Sequence, residues 1–341
     1  MQTMTTDTAR ATKTISPADI PVVDVGPLRA GTPGAIADAA TAFREACTGM
    51  GFMVLVNHGI DSGVVERAFD ASRMFHGLPM DEKLKVRMNR HQCGYMPPNV
   101  SVHRDTFETH QTAHRAQVSE AYKFTFDLDV NDPDFGANRR FRGHNKWPGE
   151  AVAPGVRDAF MAFHLTFEAF ARKLLPAISV ALGMAPDFFD PHFARSSSMT
   201  RIAHYPPIPD ADREISLPGH TDLSFLSLIP PATHPGLEIL TPNGEWISQP
   251  IVPNGVLFNT GNTLCRWSND VFKATPHRVR AAPDTDRYSN IFFLYPDVDA
   301  VMECVPGCAS AENPPKYPPV TFGEFHADYA ARNFAYAEDW D

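Results

Sequence analysis

The chain has 341 residues, 43% of them hydrophobic, which suits one large decorated domain or two domains. Its formal charge of −10 argues against nucleic acid or an anionic membrane surface as the main partner, because both call for clustered lysine and arginine. No stretch approaches ~18 consecutive apolar residues, so the sequence predicts no membrane-spanning helix.

The amino-terminal stretch is polar and rich in threonine. It predicts a disordered arm at residues 1–16 and no secretory signal, because no apolar core is present. The 5 cysteines are scattered and odd in number, which is not a disulfide framework, so we expect a reducing cytoplasm. Nothing in the sequence indicates an obligate protein partner.

Apolar spacing in residues 17–196 predicts a mostly helical region with a few strands. Strands are expected at 19–28, 51–60 and 120–130, and helices at 34–50, 61–76, 78–86 (with Asp81 as N-cap) and 156–183. Residues 88–120 are polar with weak periodicity, which predicts a long loop or lid. It carries His103, His110 and His114, where a second metal site is the alternative to a solvated lid.

Residues 197–300 differ in character, with short strand-like runs broken by glycine, proline and asparagine. Asn243–Gly244 lies between two such runs and is a strong hairpin signal. Many short antiparallel strands predict a sandwich or jelly roll. The expected fold is therefore mainly β with flanking helices: a core at 197–300, an α-rich region at 17–196 packed on it, and a helical extension at 301–341.

The sequence contains three pairs of a histidine and an aspartate two residues apart: His103–Asp105, His220–Asp222 and His326–Asp328. Such pairs arise by chance in a chain this rich in acidic residues. In a strand, residues two apart point to the same side, so a pair of this kind can aim at one point. A 2-His-1-carboxylate iron site then needs one more histidine from a separate strand.

Only one of the pairs has a suitable third ligand. His220–Asp222 is followed by His277, which lies in a strand-like run in the same β half. The pair at 326 has no histidine downstream, and the pair at 103 is followed by His164 inside a predicted helix. The sequence therefore favours His220, Asp222 and His277.

A possible anion pocket follows in "RYSNIFFLYP", where alternation places Arg287, Ser289, Ile291, Phe293 and Tyr295 on one face. A guanidinium forks onto two carboxylate oxygens and a nearby hydroxyl adds a donor. A buried arginine without a partner is costly, so this pocket expects an anion.

Taken together, "HTD", "HRV" and Arg287-x-Ser289 resemble the iron(II)/2-oxoglutarate-dependent oxygenases of the isopenicillin N synthase-like family. "IPVVDVGPL", "GFMVLVNHGI" and "GYMPP" are similar to its amino-terminal half, so the likeness covers nearly the whole chain. The resemblance implies a double-stranded β-helix core, bound Fe(II), and 2-oxoglutarate and O2 as co-substrates. It also implies oxidation of a small organic molecule with release of succinate and CO2.

Carried over by the same resemblance, His220, Asp222 and His277 are iron ligands, and Arg287 and Ser289 hold the far carboxylate of 2-oxoglutarate. Tyr205 matches the second tyrosine of the family's Asn-Tyr-Tyr-Pro run, whose hydroxyl helps to hold the same acid. The chain departs from the family at the two preceding positions, Ala203 and His204, and has Gly-Asn in place of the usual Gly-Asp at 261–262.

Substrate contacts are weakly specified. Arg201 shares a strand face with Tyr205 and can meet an acidic or phenolic substrate, or it is a surface arginine. Aromatic side chains that either line the substrate side or pack in the core are Tyr122, Phe124, Phe225 and Phe293.

The reaction itself has alternatives. C–H hydroxylation is the first expectation, and desaturation or ring formation would use the same site. An oxidase of the isopenicillin N synthase or aminocyclopropanecarboxylate oxidase type binds iron identically without consuming 2-oxoglutarate. Ethylene formation and a non-catalytic 2-oxoglutarate sensor are further hypotheses.

Overall fold

The computed structural model describes residues 20–100, 118–129, 131–137, 139–209 and 215–333. The arm expected at 1–16 and the histidine cluster His103, His110 and His114 lie outside these ranges. No helix in the described part of the chain combines the length and apolar character needed to cross a bilayer.

The strands of the described residues, in chain order, are β1 Val22–Asp24, β2 Phe52–Val56, β3 Gly94–Met96, β4 Glu120–Thr125, β5 Met199–Tyr205, β6 Ile215–His220, β7 Leu226–Ile229, β8 Leu237–Leu240, β9 Trp246–Ser248, β10 Val256–Thr260, β11 His277–Arg280, β12 Arg287–Leu294, β13 Val301–Met302 and β14 Val320–Thr321. The helices are α1 Gly26–Ala30, α2 Ala35–Thr48, α3 Ser62–His76, α4 Met80–Lys85, α5 Pro133–Gly136, α6 Val156–Ala181, α7 Asn262–Trp267 and α8 Phe322–Asn333.

Two sheets form the core of the molecule. The large sheet has the order β1-β2-β10-β7-β12-β5-β4-β3, and the small sheet has the order β6-β11-β8-β9. The β1–β2 pair is parallel and the other pairs are antiparallel. Apolar side chains from both sheets, such as Leu217, Ile239 and Ile291, meet between them in one buried cluster. This arrangement is the predicted jelly-roll core.

Helix α6 covers the outer face of the large sheet. Its phenylalanines Phe163 and Phe167 recur at helical spacing and join the cluster that contains Phe292 of β12. The helix continues past Pro176 to Ala181. Helices α2 and α3 pack against α6, so the inner face of the sheet is left for the site.

Several predicted elements needed correction. The first strand ends at Asp24 and is followed by the helix α1. Helix α4 is capped by Pro79, and Asp81 lies in its first turn rather than at the cap. The strand expected at 120–130 ends at Thr125 because Asn145 then takes over the backbone contacts, donating to the Thr125 carbonyl.

The predicted regions share structural elements. Strands β1 to β4 come from residues before 197, yet all belong to the same sheet as β5, β7, β10 and β12. The domain boundary at 196 therefore stays a prediction. After residue 300 the chain forms the β13–β14 ladder before the expected helix, α8. The hairpin predicted at Asn243–Gly244 is confirmed by the pairing of β8 with β9.

Candidate functional site

The two histidines of the predicted metal set face each other across the small sheet. His277 of β11 is paired directly with His220 of β6, and their ring centroids lie 4.5 Å apart. The Nδ1 of His220 is 2.9 Å from the Pro218 carbonyl oxygen, and that of His277 is 3.2 Å from the Thr275 carbonyl oxygen. If each Nδ1 carries the proton, as these carbonyl acceptors favour, each Nε2 keeps its lone pair for a metal.

Asp222 completes the set from a loop. Its Oδ1 lies 3.8 Å from the Nε2 of His220 and 3.6 Å from that of His277. Strand β6 ends at His220, so strand alternation does not orient this carboxylate as the sequence suggested. Hydrogen bonds do so instead: Ser227 Oγ donates to Oδ2 at 2.6 Å and Asn259 Nδ2 donates at 2.8 Å.

The resulting donor set suits ferrous iron. The ligand atoms of His220, Asp222 and His277 all lie within 4.8 Å of one another, and no other such trio occurs among the described residues. Two imidazoles and one carboxylate on one side of an ion leave further coordination positions open. These side chains therefore fit an Fe(II) centre that also binds a second ligand.

Burial and mutual contacts set the charges of these groups. Burial, followed by the neighbouring His277, lowers the pKa of His220 to about 3, so this ring is neutral at pH 7. Burial opposes ionisation of Asp222, but the two histidines and Ser227 hold its pKa well below the usual range. Burial alone would lower the pKa of His277, but the neighbouring Asp222 carboxylate outweighs burial and raises this pKa. Because the pKa of His277 is raised, a proton competes with the metal at this imidazole.

Arg287 begins β12 and lines a cavity between the two sheets together with the three metal-set residues. Its side chain is almost completely buried, with 3% of the residue exposed. The Nε donates to the His234 carbonyl oxygen at 3.0 Å, whereas Nη1 has no hydrogen-bond partner. An unpaired guanidinium nitrogen in a buried cavity fits an anionic ligand, as the 2-oxoglutarate prediction requires.

Ser289 and Tyr205 lie where the sequence placed them. Both line the same cavity, and Tyr205 of β5 is paired directly with Arg287 of β12. The Arg287 guanidinium carbon lies 5.1 Å from the centre of the Tyr205 ring. Arg201 also lines the cavity and donates from Nη1 to the Tyr205 hydroxyl at 3.4 Å. The two sheets thus bring all the predicted iron and 2-oxoglutarate residues together.

The aromatic candidates divide into two groups. Phe293 lines the cavity. Tyr122 and Phe124 do not, because they point from β4 towards helix α6, where Phe124 stacks on Phe160 at 5.4 Å. Of the two alternatives that the sequence left open, substrate wall or core, these contacts favour the core for Tyr122 and Phe124, because their strand face is the outer one.

Phe225 is also a core residue. Its ring packs edge-on against Phe189 and Phe193 at 4.9 and 5.0 Å, and it is absent from the cavity wall. No pattern in "LSFLSL" separates a wall residue from a core residue. For Phe225, too, the contacts favour the core over the substrate wall.

Some cavity residues were missed. Lys123 lies between Tyr122 and Phe124, so strand alternation sends it to the inner face once those two point outward. Gln92 and His326 also line the cavity, the first from the loop before β3 and the second from helix α8. The sequence signal that could have identified Lys123 is a lysine within an otherwise apolar strand. No local pattern marked the other two.

Family models match most of the chain. Residues 20–150 match the model described as the non-haem dioxygenase in morphine synthesis N-terminal region. Residues 196–296 match the model of the 2OG-Fe(II) oxygenase superfamily, where 2OG is 2-oxoglutarate. Two similar sequences are kihadalactone A synthase of Citrus sinensis, 31% identical over 92% of this chain and 93% of that protein, and the 2-oxoglutarate-Fe(II) type oxidoreductase hxnY of Emericella nidulans, 29% identical over 90% and 88%.

Solved structures similar to this chain also include 2-oxoglutarate–Fe(II) oxygenases. A full-length Neurospora crassa protein, crystallised in complex with α-ketoglutarate, superposes with a TM-score of 0.79 at 26% identity, covering 92% of this chain and 96% of that one. A 2OG-Fe(II) oxygenase family protein from Caulobacter crescentus superposes with a TM-score of 0.78 at 28% identity, covering 92% and 98%.

Proposed function

The chain belongs to the 2OG-Fe(II) oxygenase superfamily, and we propose that it hydroxylates a C–H bond of a small organic molecule, with His220, Asp222 and His277 as the iron ligands. It is a dioxygenase that depends on Fe(II) and 2-oxoglutarate and acts on small molecules. The residues that carry out the reaction, and the outcome at the substrate, are the proposed part.

One observation carries the residue assignment. Three ligand atoms converge within 4.8 Å, and the unpaired Nη1 of Arg287 lines the same buried cavity. A structural polar cluster would satisfy its own donors, because a buried unpaired nitrogen costs about 1–3 kcal/mol. The cavity is therefore built to receive a metal and an anion together.

Each protein group has a defined task. The Nε2 atoms of His220 and His277 and the Oδ1 of Asp222 hold the ion, while Ser227 keeps the carboxylate from turning. Arg287, Ser289 and the Tyr205 hydroxyl bind the far carboxylate of 2-oxoglutarate.

The apolar walls around this set exclude water. They include Leu217, Ile229, Val279 and Ile291. When bound, iron and 2-oxoglutarate supply the activation of O2, with succinate and CO2 as by-products. No protein general base is required, and none is assigned.

The rival oxidase reaction uses the same iron ligands but assigns Arg287 to the substrate instead of 2-oxoglutarate. The superfamily match and the α-ketoglutarate-bound neighbour support the 2-oxoglutarate reaction over both the oxidase and the sensor. The 5 cysteines carry no disulfide, which supports the cytoplasmic location that we propose.

The test uses the purified full chain with Fe(II), ascorbate and labelled 2-oxoglutarate, measuring succinate and CO2. We expect release of both, and loss of both in His277→Ala together with loss of bound iron in anaerobic metal analysis. His144→Ala is the control, because that exposed side chain lies outside the cavity wall. Absence of 2-oxoglutarate turnover, or full iron binding in His277→Ala, would overturn the proposal.

A further inference from the structure

The cavity contains a second group of polar side chains that neither the iron nor 2-oxoglutarate accounts for. Lys123 of β4 and Arg201 of β5 are directly opposite each other in the antiparallel ladder, and Gln92 lines the same wall. All three are buried, at 8%, 9% and 4% exposure. Like charges directly opposite each other destabilise a sheet, and a bound anion would relieve that repulsion.

Arg201 lacks an acidic partner within the described chain. Its hydrogen bond is to a neutral group, the Tyr205 hydroxyl, at 3.4 Å, and it forms no ion pair with a described carboxylate. Asp222 is the one acidic side chain among the described residues of the cavity wall. Because Asp222 binds the metal, it cannot also neutralise Arg201.

The charge balance of the complete site leaves a cation in excess. Fe(II) and Arg287 together contribute three positive charges, and Asp222 and the 2-oxoglutarate dianion contribute three negative ones. Arg201 remains outside that balance, in a region where a buried uncompensated charge is expensive. Burial, followed by the neighbouring Arg201, lowers the pKa of Lys123 to about 7, so a carboxylate bound on this wall would favour the charged form of Lys123.

Gln92 supplies an independent sign of a missing ligand. Its Oε1 accepts a hydrogen bond from Lys123 Nζ at 3.5 Å, so its Nε2 is the amide atom that remains to donate to a ligand. That Nε2 is buried and has no hydrogen-bond partner. Two basic groups and an amide donor on one cavity wall match the oxygens of a carboxylate.

The backbone positions of this group are offset along the strands from the 2-oxoglutarate end, although the Arg201 guanidinium reaches the Tyr205 hydroxyl, where the two sites meet. Arg201 pairs with Ile291, and Tyr205 pairs with Arg287, so the two arginines lie four residues apart along the paired strands. At ~3.3 Å per residue, their Cα atoms are roughly 13 Å apart along the strand direction. The apolar side chains Met96, Met199 and Phe293 line the cavity as well and suit an apolar body.

We propose that the substrate is a carboxylic acid with an apolar body, and that Lys123, Arg201 and Gln92 bind its carboxylate. This inference rests on the proposed function of the same cavity and names the substrate class. Arg201 and Lys123 are specificity residues: they select an acid over an uncharged molecule of the same shape.

The experiment is calorimetric binding without O2, using the full chain loaded with Fe(II) and 2-oxoglutarate. The probes are monocarboxylates paired with their primary amides: phenylacetate with phenylacetamide, and hexanoate with hexanamide. We expect the wild type to prefer the acid in each pair. Arg201→Gln should reduce the acid-to-amide preference roughly 10- to 100-fold, the effect of one hydrogen bond to a charged group.

Further variants keep the result decisive. Arg201→Lys, which retains the charge, should keep part of the preference, and Lys123→Gln should reduce it independently of Arg201. Arg172→Gln is the control, because Arg172 pairs with Glu168 on helix α6, away from the cavity wall. Each preference is a ratio within one protein, so a change in the amount of folded protein cancels.

Three outcomes would overturn the inference: amides that bind as tightly as acids, an acid preference that survives in both Arg201→Gln and Lys123→Gln, or no binding by any probe. Binding of 2-oxoglutarate is measured first in the same sample. If 2-oxoglutarate fails to bind, the proposed function fails; if it binds and is turned over without acid preference, only the substrate class fails.

Discussion

Replacing Arg287 by glutamine tests the co-substrate site most directly. The side chain is buried, its Nε donates to the His234 carbonyl, and its Nη1 has no partner. Each charge-assisted hydrogen bond that a bound carboxylate loses is worth about 1.5–3 kcal/mol. The dissociation constant of 2-oxoglutarate should therefore rise roughly 10- to 100-fold.

The same substitution should leave the ligand-free protein at least as stable as the wild type. Burial disfavours the charged guanidinium and lowers the pKa of Arg287, while the described residues of the cavity wall offer it no carboxylate within salt-bridge distance. Removing a buried, uncompensated charge relieves a cost, and a glutamine amide can still donate to the His234 carbonyl. A loss of affinity without a loss of stability distinguishes a ligand-binding arginine from a structural one.

The assay is calorimetric titration of 2-oxoglutarate into Fe(II)-loaded protein without O2, with thermal unfolding of the ligand-free protein alongside. The 2-oxoglutarate affinity of Arg287→Lys should lie between those of the wild type and Arg287→Gln, because lysine keeps the positive charge but cannot form the bidentate contact of a guanidinium. Arg73→Gln is the control: Arg73 lies over Tyr288, on the other face of β12. Unchanged 2-oxoglutarate affinity in Arg287→Gln, or a large loss of stability with normal affinity, would refute the assignment.

The remaining predictions concern residues around the site. Ser227→Ala removes the 2.6 Å hydrogen bond to Asp222 and should weaken iron binding roughly 10- to 100-fold in metal titrations; equal affinity would contradict the orienting role. Phe124→Ala should lower the free energy of unfolding by about 3–5 kcal/mol, measured by urea denaturation, because this ring is core and not cavity wall. Glu120→Gln should cost about 3–5 kcal/mol because Lys83 stays buried without its 2.8 Å partner. Burial is outweighed by hydrogen bonds that lower the pKa of Glu120 from 4.5 to about 2, so this residue contributes to a loss of wild-type stability as pH drops from about 4.5 towards 2. The variant should show a smaller loss over that range.

Spacing along the sequence predicted the candidate iron ligands because it reflects strand pairing. His220 and His277 are distant in the chain, yet the register of β6 and β11 places them opposite each other. The inward face of β12 was equally predictable, since Arg287 and Ser289 alternate with side chains that point the other way. Period-two alternation is a local property, so it is available from the sequence alone.

Other features depended on contacts that no local pattern records. Asp222 is oriented by Ser227 and by Asn259, which is 37 positions away in the chain. Which face of β4 points inward was decided by helix α6, whose Phe160 stacks on Phe124. An apolar strand with one lysine fits either orientation, so the sequence left Tyr122 and Phe124 open between substrate wall and core.

The side chain at position 203 determines how the co-substrate site and the proposed acid site are connected. The family's Asn-Tyr-Tyr-Pro run has an amide there, whereas this chain has Ala203, buried and paired with Ser289, between Arg201 and Tyr205 on the strand. A methyl group leaves room for Arg201 to extend along the strand until its Nη1 donates to the Tyr205 hydroxyl. Because that bond uses a lone pair of the oxygen, the hydroxyl proton is left to donate to a carboxylate held by Arg287. The departure from the family pattern thus lies where the two anion sites meet, and Tyr205 belongs to both.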